Sequence, residues 1–117
     1  MKKPKSKEVR IREELENLIE IFSECDPNKR GIIQGQIESA AFMRVMLEEL
    51  KMTMLNEGVS TDYKNGENQY GSKRSPATDT YLSMSKNYTI VINQLLSNVP
   101  VSKNKESKLE ALANLYA

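Results

Sequence analysis

The side chains most often used for chemistry are scarce in this 117-residue chain. It contains no histidine, which removes the commonest general base, the commonest metal ligand, and every Ser-His or Cys-His pair. Cys25 is the only cysteine, so neither an intrachain disulfide nor a zinc site of the usual Cys/His kind can be built. Glu13, Glu14, Glu16, Glu20 and Glu24 form the densest carboxylate group. Their spacing spreads them over a solvated helix face rather than gathering them around Mg²⁺. Asp62 lacks the alternating oxygen ligands and closing Glu of a calcium loop.

Gly66-Glu67-Asn68-Gln69-Tyr70-Gly71-Ser72-Lys73 resembles a phosphate-binding loop with its Ser and Lys exchanged. In a working loop Lys directly follows the second Gly, and the loop leaves a hydrophobic strand to enter a helix. Here a polar segment precedes it and the order is reversed. These residues therefore imply no catalytic set, no cofactor and no metal, and the chain reads as one that binds and assembles.

What remains is a basic set with aromatics. Residues 1–12 hold Lys2, Lys3, Lys5, Lys7, Arg10 and Arg12 against Glu8 alone, whereas residues 13–26 hold six acids and no base. Lys29 and Arg30 follow, and Lys64, Lys73 and Arg74 accompany Tyr63 and Tyr70. Such side chains contact phosphates without reading sequence. A basic arm before an acidic helix face touches polyanion at one end and repels it at the other. The competing reading is an ordinary solvated tip. Net charge is only +1, so the whole-chain field selects no partner.

The elements that position these residues are legible from apolar spacing. Ile11, Leu15, Leu18, Ile19 and Phe22 mark one face of a first helix, from Ser6 to about Cys25. Asp26-Pro27 is a cap-plus-proline start for a long second helix, to about Asn56 with Gly58 as its stop. Its main stripe is Ile33, Ile37, Ala40, Met43, Leu47, Leu50 and Met54. Phe42, Val45 and Met46 widen that stripe beyond what one antiparallel partner covers, which makes them the expected oligomer interface.

Residues 59–75 read as an ordered loop or a small hairpin turning at Asn65-Gly66. Ser75-Pro76 opens a third helix through Ala77, Tyr81, Met84, Tyr88, Val91, Ile92, Leu95 and Val99, and Pro100 closes it. Residues 101–107 read as a polar linker. Leu109, Leu112, Leu115 and Tyr116 mark a terminal helix of about two turns, too short to stand alone and expected to dock. The expected fold is therefore all-α: three main helices in a hairpin or bundle, a long central helix, and a short C-terminal one. Residues 1–100 form the main domain behind the arm 1–7, and 101–117 the linker and docking helix. With no long apolar run and no apolar segment behind the N-terminal lysines, neither a membrane span nor a signal peptide is expected.

One longer pattern joins loop and third helix. Tyr63, Asn65-Gly66, Asn68-Gln69, Gly71, Lys73 and Ser75-Pro76 are followed by Tyr81, Lys86-Asn87-Tyr88, Ile92, Leu95-Leu96 and Pro100. With the "CDPNK" helix start, this is similar to the small terminase subunits of tailed phages and prophages of low-GC Gram-positive hosts. The resemblance spans about residues 7–100 and uses common residue types. It implies a ring-forming, all-helical subunit in the bacterial host cytoplasm. Such a subunit binds double-stranded viral DNA and regulates a large subunit that holds the ATPase and nuclease. DNA contact then falls to Lys2, Lys3, Lys5, Lys7, Arg10, Arg12, Lys29, Arg30, Lys73 and Arg74, and large-subunit docking to Leu109, Leu112, Leu115 and Tyr116. A helix-turn-helix, used by some of these proteins, is not recognisable here. The alternative expectation is a small helical regulator or inhibitor from a mobile element that binds a protein and not DNA.

Overall fold

A computed structural model describes residues 5–23, 27–64, 70–98 and 103–115, with side chains for all of these except 63, 64, 70 and 103–108. The fold is mostly helical, as the periodicities require. Helix α1 (Lys7–Ile21), a 3₁₀ turn (Pro27–Lys29) and helix α2 (Arg30–Glu57) are followed by strands β1 (Ser60–Lys64) and β2 (Tyr70–Arg74), then helices α3 (Pro76–Ser97) and α4 (Lys103–Leu115). No helix among the described residues is long and apolar enough to cross a membrane.

Local chemistry sets the ends of these elements. The Ser6 hydroxyl accepts the Val9 amide at 3.2 Å and starts α1. That helix stops at Ile21, earlier than its apolar spacing suggests. The Phe22 amide closes back on the Leu18 carbonyl, and the Ser23 hydroxyl takes the Glu20 carbonyl. The expected cap at Asp26 lies outside the described residues. Gly58 ends α2 with φ +86°, a conformation that costs glycine little, and its amide donates to the Met54 carbonyl at 2.8 Å. Ser75 caps α3 by accepting the Thr78 amide at 3.1 Å, with Pro76 in the first turn.

The loop-or-hairpin alternative resolves as a hairpin. Its register pairs Ser60 with Arg74 and Lys64 with Tyr70, which leaves five residues between the strands. The expected turn at Asn65-Gly66 lies outside the described residues. A second difference is at the C-terminus, where α4 begins at Lys103 within the segment read as a linker. Residues 103–108 contain neither Gly nor Pro, and lysine and glutamate are good helix formers.

One core holds the helices together. Leu18 and Phe22 from α1, Ile33, Ile37, Ala40 and Ala41 from α2, Leu95 from α3 and Leu112 from α4 are buried in a single cluster. Ile11, Leu15, Ile21, Tyr88, Val91, Ile92 and Leu96 pack around it. The pattern on α3 faces inward, but among its described residues only Leu95 is fully buried, and Val99 lies outside them. Ile19 of α1 is exposed instead of buried.

The molecule is drawn out. It measures 63 × 37 × 24 Å, with a radius of gyration of 18.4 Å. A compact chain of this length would have about 13 Å. Its accessible surface is 8437 Å², whereas a folded monomer of this mass exposes about 6,450 Å². Part of the surplus is the hairpin, whose described side chains at Ser60–Asp62 and Ser72–Arg74 are all exposed.

The hairpin is tied to the helices at its base. The Val59 carbonyl accepts the Ser75 amide at 3.1 Å and the hydroxyl of Thr78, the buried polar residue of the described core, at 2.8 Å. Replacing Thr78 by Val keeps the shape but removes the hydroxyl. It should lower unfolding stability by about 1–2 kcal/mol, with the first loss of amide protection in β1 and β2 by hydrogen exchange. Unchanged hairpin protection would show that the tether is not Thr78.

Candidate nucleic-acid and assembly surfaces

Helices α1 and α3 both run antiparallel to α2, and this decides where the basic residues go. Near one end of α1, Arg10 reaches Glu48 and Glu49; at its other end Phe22 meets Ile33 and Ile37. Across α3, Lys29 lies by Asn98 and Gln36 by Gln94. The start of α1 and the hairpin base therefore share the far end of α2. Lys29 and Arg30 stand at its beginning, about 40 Å away along a 28-residue helix.

Among the ten cations expected to meet phosphate, the described ones thus do not form one patch. Lys7, Arg12, Lys73 and Arg74 are exposed towards the hairpin end, and Lys29 and Arg30 are exposed at the other. Lys2 and Lys3 lie outside the described residues. Lys5 binds Glu13 at 2.9 Å, and Arg74 lies 3.3 Å from Asp79; both pairs are well exposed and weakly held.

Arg10 departs most from expectation. Its guanidinium spans two carboxylates of α2, donating from Nη2 to Glu48 at 2.6 Å and from Nη1 to Glu49. Arg44 flanks Glu48 one turn earlier. Hydrogen bonds donated to Glu48 and then Glu49 hold the Arg10 pKa above its ordinary value, against a smaller desolvation effect. Arg10 is thus an inter-helix clamp, and phosphate would have to displace two carboxylates to reach it. Nothing in the local spacing of α1 reveals this, because the partners lie 38 and 39 residues away.

The expected assembly residues also divide. Val45 is 3% exposed, buried within the chain's own fold, and is removed from the interface set. Its position on α2 turns inward because two helices, not one, flank α2. Phe42 is 48% exposed, and Met46 is half-buried. Ile32, Met52, Leu55 and Val59, not singled out by the main stripe, are exposed as well.

In the C-terminal helix, Leu112 is spent on the core and is no longer available to a partner. Leu109 is exposed and Leu115 half-buried, while Tyr116 lies outside the described residues. Among the described residues no three of His, Cys, Asp and Glu come together to hold a metal. Of the segment Gly66–Lys73, Tyr70–Lys73 lie within β2, with Gly71 paired to Tyr63, and residues 66–69 lie outside the described ones.

Comparison with protein-family models, curated proteins and solved structures finds no match to this chain.

The clamp is open to a direct test. Arg10→Ala should lower stability by about 1 kcal/mol, read as a fall in urea midpoint. Lys7→Ala, three residues away and exposed, should leave the midpoint unchanged. Equal effects from both would contradict the clamp.

Proposed function

We propose that this chain is a non-catalytic DNA-packaging adaptor of the small-terminase kind. Copies assemble into a ring, their exposed cations grip double-stranded DNA, and the assembly recruits and regulates a large subunit that supplies ATPase and nuclease chemistry in a bacterial host. The carrying observation is the uncovered apolar surface of α2 in a chain whose cations stand exposed at both ends. One copy offers too few phosphate contacts for tight binding. Repetition around an assembly multiplies them, since linked sites gain through effective concentration.

This reading employs the exposed residues of those sets. Lys7, Arg12, Lys73 and Arg74, with the arm lysines before them, form the principal phosphate-contacting group. Lys29 and Arg30 form a second group at the opposite end. Arg10 positions α1 and does not contact phosphate. Large-subunit docking falls to Leu109 and Leu115, because Leu112 faces inward.

A second reading keeps the assembly surface but replaces DNA with a protein partner, as in a small regulator from a mobile element. The exposed acids Glu16 and Glu20 on the outer face of α1 favour it, since they repel polyanion and suit a basic protein surface. Electrophoretic shift on duplex DNA at several salt concentrations separates the two. The packaging reading expects a steep loss of affinity with salt. Its slope should flatten by roughly 0.9 for each phosphate contact removed, both on deleting residues 1–7 and in Lys73→Ala/Arg74→Ala. No salt-dependent shift from an intact assembly would leave the regulator reading.

A further inference from the structure

Helix α4 is held differently from the other helices. Leu109, Leu112 and Leu115 recur at every third residue. At about 100° per residue this sets Leu112 at the centre of an apolar face, with Leu109 and Leu115 about 60° to either side. Only part of that face is used. Leu112 is 7% exposed and belongs to the cluster with Leu18, Phe22 and Leu95, whereas Leu109 is 45% exposed and Leu115 half-buried. The helix lies against α1 and α3. Among its described side chains, 109–115, none is hydrogen-bonded or ion-paired to another helix. By contrast, α1 is fixed by the Arg10 clamp near one end and by Leu18 and Phe22 near the other. Leu95 anchors α3 in the core, and the Thr78 hydroxyl ties its start to Val59.

From this we infer that α4 is a latch, which opens from the bundle as a unit while α1, α2 and α3 stay folded. One leucine holds it closed. Thirteen residues are too few for a helix to persist alone in water. When Leu112 withdraws, α4 therefore melts, and it refolds where an apolar surface receives its face. Closed, the latch hides Leu112 in the cluster and keeps water from Leu18 and Leu95. Open, it frees Leu112 to stand with Leu109 and Leu115 as three anchors on one helix face. That is the form in which an apolar groove on another protein takes an amphipathic helix. Core closure and full partner binding compete for the same side chain, so the closed contact is autoinhibitory.

This deepens the docking role given to α4 above. It rests on that reading for the partner but not for the opening. In the closed state only Leu109 and Leu115 are offered, and the partner gains Leu112 by drawing the latch open.

Native-state hydrogen exchange of the full chain tests the latch with neither DNA nor partner present. Amides of residues 109–115 should be protected at least about 100-fold less than those of Ala40 and Ala41, because they open without the bundle. Leu112→Ala should lower their protection by at least about tenfold more and leave Ile37–Ala41 unchanged. It should also raise the fluorescence of the apolar dye anilinonaphthalene sulfonate, as Leu18 and Leu95 lose their cover. Leu109→Ala should change neither reading. Loss of protection at Ile37–Ala41 in Leu112→Ala would overturn the inference and make α4 an integral wall of the core. Unchanged protection of α4 in that variant, or wild-type α4 exchanging only together with α2, would overturn it as well. Failure to bind DNA with the latch behaviour intact would instead count against the packaging reading alone.

Discussion

The structure depends on how α2 is covered. It is 28 residues long, and the two antiparallel helices beside it shield only part of its circumference. Their shared core gathers around the first half of α2, where α1 ends and where α3 and α4 deliver Leu95 and Leu112. Beyond Leu47 the helix carries Met52 and Leu55 into solvent and leads to the exposed Val59. An apolar helix face left in water forfeits the burial that stabilises it, about 25 cal/mol for each Å². The elongated form and this exposed apolar surface are what the proposed assembly would cover.

Electrostatics follow from the same arrangement. Because α1 runs antiparallel to α2, the basic start of α1 falls beside Glu48 and Glu49, and Arg10 is drawn into the helix interface. The neighbouring Lys7 and Arg12 stay outside. The described cations of residues 5–12 are thus divided by the fold into a structural member and exposed ones. The acids after residue 12 continue along α1, where Glu16 and Glu20 face solvent and give that side of the molecule a negative surface.

Much of this fold was legible in the sequence, for local reasons. Ser75-Pro76 and Gly58 act through neighbouring backbone, so the start of α3 and the end of α2 could be read directly. The core stripe Ile33, Ile37, Ala40 and Leu47 followed from period alone. Contacts between distant segments were less legible. Arg10 looked like its neighbours until α2 supplied two carboxylates. Val45 looked like surplus apolar surface until both flanking helices were in place. The exposure of Ile32 has no signal in the sequence, because Gly35 and Ser39 interrupt its stripe in any hydrophobicity count. The placement of the cations was not legible, since the fold alone separates Lys29 and Arg30 from the hairpin cations.

The central claim is that copies of this chain cover the exposed face of α2. Sedimentation equilibrium of the unmodified protein across a wide concentration range measures this most directly. The account predicts a mass that rises from the monomer to at least twice that value as concentration increases. A single monomeric mass at every concentration, up to the millimolar range, would contradict it.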